Sequence, residues 1–291
     1  MGSVPVHRLV FRAFLGLMAA GCASAPEGTG SREERSKPRQ EVKAGQRVEI
    51  PVGENRVLTG TLYLPQKPDP SPAVVVLHTS YGSVERFDFA YARNLAREGY
   101  VALAVNYLHP SLGGRLWSPR ITQDLVRVVD FLRSRPEVQG KPVGVVGFSL
   151  GLGSHGIRLA AAHPAVKAVA VYYGAYNRRK LPALRNFRGT LPPFPVDVAP
   201  QVNAAVLLLH GDADDETPLS QAEDMREALR TSGKVVELVV YPGAYHRFDR
   251  GPSDRMSGEK TREGYTYRHD PKAERDAWAR TLAWFKTHLN P

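Results

Sequence analysis

The chain has 291 residues, 42% hydrophobic and 23% charged, with 39 Lys+Arg against 29 Asp+Glu and a formal charge of +10. This composition, with a mean hydropathy of -0.31, excludes a polytopic membrane protein, a collagen-like chain and a wholly disordered one. The only cysteine, Cys22, excludes an intramolecular disulfide and a multi-cysteine zinc site.

The N-terminus reads as an export signal. Arg8 and Arg12 precede the charge-free apolar run Ala13 to Gly21, which is less than half of the roughly 20 apolar residues a membrane span needs. The sixth residue, Val6, breaks the myristoylation pattern, which wants Ser or Thr there. Ala19-Ala20-Gly21-Cys22 resembles the bacterial lipoprotein cleavage motif, which implies a lipid on Cys22, anchorage to a lipid bilayer and a place in the cell envelope. In a Gram-negative cell, Ala23 after the cysteine implies the outer membrane by the same resemblance. An ordinary secreted protein is the other reading. Residues 23–45 hold no aromatic, Leu or Ile and cannot bury enough apolar surface to offset ordering, so they are expected to be a disordered linker.

From residue 46 to 291 one domain is expected. β-branched and aliphatic runs recur at Arg47 to Val52, Thr59 to Leu64, Ala73 to His78, Val101 to Asn106, Val143 to Gly147, Val166 to Tyr172, Ala204 to His210 and Val235 to Tyr241. The first two alternate and are bounded by turn residues, as an antiparallel edge is; the later ones are apolar throughout, as strands covered on both faces are. Ile121, Leu125, Val128, Val129 and Leu132 repeat at helical spacing, with Pro136 as the stop. A second helix carries Ala222, Met225, Ala228 and Leu229 after a Thr217-Pro218 start, and Gly233 ends it. Trp278, Leu282, Phe285 and Leu289 mark a closing helix. Strand alternating with helix predicts an α/β fold, a mostly parallel sheet of about eight strands with helices on both faces.

Gly147-Phe148-Ser149-Leu150-Gly151 fits G-x-S-x-G. Alone the motif is weak, but it follows the apolar run Val143 to Val146 and opens a small-residue helix through Ile157, Leu159 and Ala162. Strand, sharp turn and helix are what lift a serine Oγ to the top of a sheet, and the helix N-terminus favours an oxyanion. A serine hydroxyl needs a base to take its proton and an acid to orient that base. Downstream come the carboxylate-rich loop Gly211-Asp212-Ala213-Asp214-Asp215-Glu216-Thr217-Pro218 and then Tyr241-Pro242-Gly243-Ala244-Tyr245-His246-Arg247-Phe248. Ser, then Asp, then His is the chain order of α/β-hydrolases. His78 and His210 end strands and read as structural. The other histidines show no metal-ligand spacing, so neither a metal nor another cofactor is expected.

Beyond these patterns the chain resembles the dienelactone hydrolase family of the α/β-hydrolase superfamily from about Gln46 to its end. The resemblance rests on H-G-x-x-D-x-x-x-P (His210, Gly211, Asp214, Pro218), Y-P-G-A-x-H-x-F (Tyr241 to Phe248), Val171-Tyr172-Tyr173-Gly174 and the segment Ala277 to Phe285. It implies that Asp214 is the acid; Asp215 and Glu216 are then accounted for by the nearby helix N-terminus. It also implies an oxyanion hole from the backbone N–H groups of Leu150 and Ser80. Thr79, Tyr81 and Arg115 are candidate substrate contacts, Arg115 for a substrate carboxylate. The chain departs from the family's name-giving enzymes in carrying Ser149 instead of a cysteine, Thr79 where they have a glutamate, and Leu152 instead of the second of two glycines. These changes point away from dienelactone itself and leave serine ester or lactone hydrolysis intact.

The stretch 176–200, with Leu181, Leu184, Phe187 and several arginines, is long for a connection and reads equally as a small lid or a surface excursion. Its arginines resemble a solvated loop more than a nucleic-acid face, so no nucleic-acid partner is expected. Two other functions share the fold: a serine peptidase of the prolyl-oligopeptidase type, whose propeller is missing, and a non-catalytic envelope protein, against which the complete Ser, Asp and His set argues.

Overall fold

The computed structural model describes residues 42, 44–53, 55–66, 69–80, 82, 85–108, 118–149, 153–177, 179, 193–251, 258, 260–261 and 264–289. The chain divides into Met1–Pro38 and Arg39–Pro291; the first unit, with the predicted signal and Cys22, lies outside the described residues, as does nearly all of the predicted linker.

Eight strands form one sheet: β1 (Gln46–Gly53), β2 (Arg56–Tyr63), β3 (Ala73–Leu77), β4 (Val101–Asn106), β5 (Val143–Phe148), β6 (Val166–Tyr172), β7 (Ala205–Gly211) and β8 (Val236–Tyr241), in the order β1-β2-β4-β3-β5-β6-β7-β8. β1 and β2 pair antiparallel, as does β2 with β4; every other pairing is parallel. This is the expected eight-stranded, mostly parallel α/β sheet.

Among the described residues five α-helices cover it: α1 (Ala90–Arg97), α2 (Pro119–Arg133), α3 (Gly153–Ala162), α4 (Ser220–Thr231) and α5 (Pro271–Leu289). Alternation along the strands divides the core in two. Ala73, Val75 and Leu77 of β3 pack with α2, α3 and α4 through Leu125, Ile157 and Met225. Val74 and Val76 face the other way, toward Leu95 of α1 and Phe285 of α5.

The structure corrects the sequence reading in four places. α1 carried no expectation; it has a short buried stripe of Ala92, Leu95 and Ala96. α4 begins at Ser220 and its N-cap position is Leu219, without a side-chain cap, so Thr217-Pro218 does not start it; Thr217 is buried and donates its N–H to Asp214. α5 buries Ala273, Ala277, Thr281, Phe285 and Leu289, a stripe of spacing four, while Trp278 and Leu282 are only half-buried. β8 is a half-exposed edge strand, unlike the doubly covered β3 to β7, because none of the described residues pairs with its outer side.

Candidate active site

Every chemical group of interest lies past the C-terminal end of a parallel strand. β3 and β5 are neighbours with Leu77 opposite Gly147, so the turns after them emerge side by side. β5 ends at Phe148, and Ser149 follows with φ of 74°. That left-handed conformation costs a side-chain-bearing residue about 1–2 kcal/mol, and the surroundings hold it. The Ser149 N–H donates to the Tyr172 carbonyl at 3.0 Å, extending the β5–β6 ladder by one bond. Ser149 is buried, and its Oγ lies 2.8 Å from Nε2 of His246.

His246 sits in the loop after β8, which folds back over the ends of β7 and β6. Two loops interlock there. The Ala213 N–H donates to the Ala244 carbonyl at 3.1 Å, the Asp212 N–H to the Tyr241 carbonyl at 3.2 Å, and the Gly243 N–H to the Asp212 carboxylate at 2.6 Å. The approach is so close that a Cβ on Gly211 would fall on the Ala244 carbonyl, which requires glycine at this position. The His246 ring packs on the Tyr173 ring, with centroids 4.6 Å apart.

Asp214 completes the chain of contacts. Its Oδ2 is 2.7 Å from Nδ1 of His246. Its Oδ1 accepts the N–H groups of Glu216 at 3.1 Å and Thr217 at 2.7 Å. A carboxylate only accepts, so the His246 proton sits on Nδ1, which leaves Nε2 free to accept from the serine hydroxyl. His210 stays structural: its Nε2–H donates to the Thr217 carbonyl at 2.7 Å and pins the acid loop. Burial lowers its pKa below the ordinary 6.5 in spite of nearby Asp214. For His246 burial also opposes the charge, but Asp214 and then Glu216 outweigh it, so its pKa lies above 6.5.

Ser149 and His246, expected from motif and chain order, and Asp214, expected from the family resemblance, thus meet within hydrogen-bond distance. Sequence reasoning missed several neighbours. The Tyr173 hydroxyl donates to Asp249 at 2.6 Å. The buried Arg250 lies between the rings of Phe87 and Phe148, 4.8 Å from each, and pairs with Asp88 at 3.4 Å. Tyr267 pairs with His246 through an isolated parallel bridge. The helix-terminus account of Asp215 and Glu216 is corrected: the Asp215 carboxylate takes the Thr266 N–H at 3.0 Å, and Glu216 accepts the Tyr267 hydroxyl at 2.5 Å. Tyr173 had a signal in the Tyr-Tyr-Gly strand end; Glu216, Tyr267 and Arg250 had none that distinguishes them from surface charge and aromatic core.

Of the remaining candidates, Thr79 is buried and its carbonyl accepts from Nδ1 of His78 at 2.6 Å. Ser80 follows it, half-buried, in the turn beside the elbow. Leu150, Tyr81 and Arg115 lie outside the described residues, as does most of 176–200. The described end of that stretch, Pro195–Gln201, is a 3-10 helix packed against α3 and α4.

A family profile described as the dienelactone hydrolase family matches residues 58–289. A protein of Methylorubrum extorquens AM1 named "Putative carboxymethylenebutenolidase" is 28% identical, over 93% of this chain and 90% of its own length. One of the same name from Escherichia coli O157:H7 is 31% identical, over 77% and 79%. Among solved structures, a "Putative Dienelactone Hydrolase" from Klebsiella pneumoniae superimposes with a TM-score of 0.66 at 26% identity, covering 83% of this chain and 98% of that one.

Proposed function

The chain belongs to the dienelactone hydrolase family and is a hydrolase of esters or lactones; from that premise we propose that catalysis runs through an acyl-enzyme on Ser149, with His246 as base and Asp214 as the acid that orients it. The observation that carries this reading is the continuous line from Ser149 Oγ to His246 Nε2 at 2.8 Å and from His246 Nδ1 to Asp214 Oδ2 at 2.7 Å.

In this mechanism Ser149 Oγ attacks the substrate carbonyl carbon while its proton passes to His246 Nε2. Asp214 holds the ring and faces the positive charge that develops on it. The tetrahedral oxygen takes hydrogen bonds from backbone N–H groups, for which Leu150 and Ser80 are the donors proposed; the Ser149 N–H is already committed to Tyr172. Collapse of the intermediate expels the alcohol, or opens the lactone, as Nε2 returns the proton. Water then repeats the sequence on the acyl-enzyme. The site needs no metal for these steps.

Serine in the elbow and Thr79 at the position of the family's glutamate favour ordinary carboxylic esters and lactones over dienelactone. Thr79, Tyr81 and Arg115 are proposed as substrate contacts on sequence grounds. The lipoprotein-like pattern ending at Cys22 supports an envelope location with a lipid on that cysteine, so Cys22→Ser is expected to move the protein from the membrane to the soluble fraction.

A fluorophosphonate, which phosphonylates only an activated serine, tests the central assignment. Intact mass of the treated protein should rise by one adduct, and peptide mapping should place it on Ser149. A folded sample that takes no adduct, or takes it elsewhere, overturns the assignment and brings the non-catalytic envelope reading forward.

A further inference from the structure

Asp214 is not the only carboxylate that faces the histidine. Glu216 Oε2 lies 3.6 Å from His246 Nε2, the nitrogen that receives the serine proton. Helix capping does not account for Glu216, since α4 starts at Ser220 and its N-cap is Leu219. The carboxylate is instead held by the Tyr267 hydroxyl at 2.5 Å. Tyr267 is itself fixed: it is buried, it bridges to the His246 backbone, and the Arg247 guanidinium lies 5.2 Å from its ring. The next residue on each side ties the same two segments together, through Asp215 and the Thr266 N–H at 3.0 Å. The Glu216 side chain is 13% exposed, so water screens its charge poorly.

From this arrangement we propose that Glu216 is a positioning residue that stabilises the imidazolium of His246 from the Nε2 side while Asp214 holds the Nδ1 side. In the resting enzyme Nε2 carries no hydrogen, and 3.6 Å is too long for a hydrogen bond. Once the serine proton arrives, Nε2–H is positive and has two oxygens before it, Ser149 Oγ and Glu216 Oε2. The attraction therefore grows as the proton is transferred, which is where it lowers the barrier. It also has a cost: the same carboxylate favours the charged ring in the resting enzyme, so the base stays blocked to a higher pH.

Among the described residues, the other groups around the ring do not supply this effect at Nε2. Asp214 acts at Nδ1, and His210 stands behind Asp214. The positive charge of Arg247 works against the imidazolium, and Tyr173 and Tyr267 present their rings to it.

The inference rests on His246 being the base, and the test separates the two. Glu216→Gln keeps an oxygen for the Tyr267 hydroxyl and removes only the charge. Nitrogen-15 NMR of His246 and the pH profiles of kcat and kcat/KM for an activated ester are measured on wild type, Glu216→Gln and Glu216→Asp, and activity alone on His246→Ala. In Glu216→Gln the His246 pKa and the acidic limb should both fall by about one unit, with plateau kcat down about tenfold, and Glu216→Asp should restore most of both. An unmoved His246 pKa and limb, with His246→Ala inert, overturns the role of Glu216 alone. Full activity in His246→Ala overturns the reading of the site on which it stands.

Discussion

The two nitrogens of His246 sit in opposite environments. On the Nδ1 side the Asp214 carboxylate is fully buried, takes two loop N–H groups on one oxygen and the imidazole on the other, and belongs to a loop interlocked with the histidine loop. On the Nε2 side are a serine hydroxyl at 2.8 Å and the Glu216 carboxylate at 3.6 Å, held through one tyrosine. The sealed side fixes which nitrogen carries the resting proton. In the proposed mechanism the open side is where the proton moves, so its partners must be close without being saturated. A change on the Nδ1 side should therefore disable the chemistry, whereas a change at Glu216 should only tune it.

The largest effect belongs to the open side's reacting atom. Ser149→Ala should lower kcat by on the order of 10⁶ while leaving the circular dichroism spectrum unchanged; a variant that still hydrolyses an activated ester at a tenth of the wild-type rate would remove the acyl-enzyme mechanism. Asp214→Asn comes next, at about 10⁴. The asparagine oxygen is the only acceptor left for the Glu216 and Thr217 N–H groups, so its NH₂ turns toward Nδ1 and drives the ring proton to Nε2, where it can no longer accept from serine. A loss of only tenfold, equal to that expected for Glu216→Gln, would erase the distinction between the two sides.

The pH profile sharpens the same comparison without a mutation. Both carboxylates hold the His246 pKa above 6.5. The ring must be neutral to act, so kcat/KM should fall as pH drops through an inflection above 6.5, and a limb well below that value would contradict the paired-carboxylate environment. Gly211→Ala tests the interlock on the sealed side. The added methyl meets the Ala244 carbonyl, backbone that cannot swing away, and should cost about 1–3 kcal/mol in urea unfolding, with a loss of kcat as the histidine loop is pushed off its register.

What could be read from the sequence divides along the same lines. The strands were legible because both faces of β3 to β7 are covered, which demands uninterrupted apolar runs. β8 reads as apolar too, yet it lies at the edge, and a run of valines does not say whether another strand lies beside it. α1 was missed because its eight residues supply little more than two turns of pattern. Ser149 and His246 of the proposed triad were legible through Gly147-x-Ser149, the strand ends and the chain order, while Asp214 among the three aspartates of its loop was singled out only by the family resemblance. Glu216 was not, because its role depends on a contact with Tyr267, 51 residues away, and a loop carboxylate four residues before a helix has a ready local explanation.

The smallest effect is expected beneath the imidazole, where ring and hydroxyl of one residue do different jobs. The Tyr173 ring supports His246, and its hydroxyl donates to Asp249 at 2.6 Å beside the buried Arg250. Burial, foremost, raises the Tyr173 pKa well above 10, so the hydroxyl keeps its proton and remains a donor at any working pH. Tyr173→Phe keeps the ring and removes the donor. It should cost about 1.5–3 kcal/mol in stability, as a hydrogen bond to a charged group does, and change kcat by less than about threefold, which is under 1 kcal/mol in the barrier. A tenfold loss of kcat at unchanged stability would mean that the Asp249 contact, and not the ring, aims His246 at Ser149, and the sealed side would then extend one layer further from the reacting atoms than the interlocked loops alone suggest.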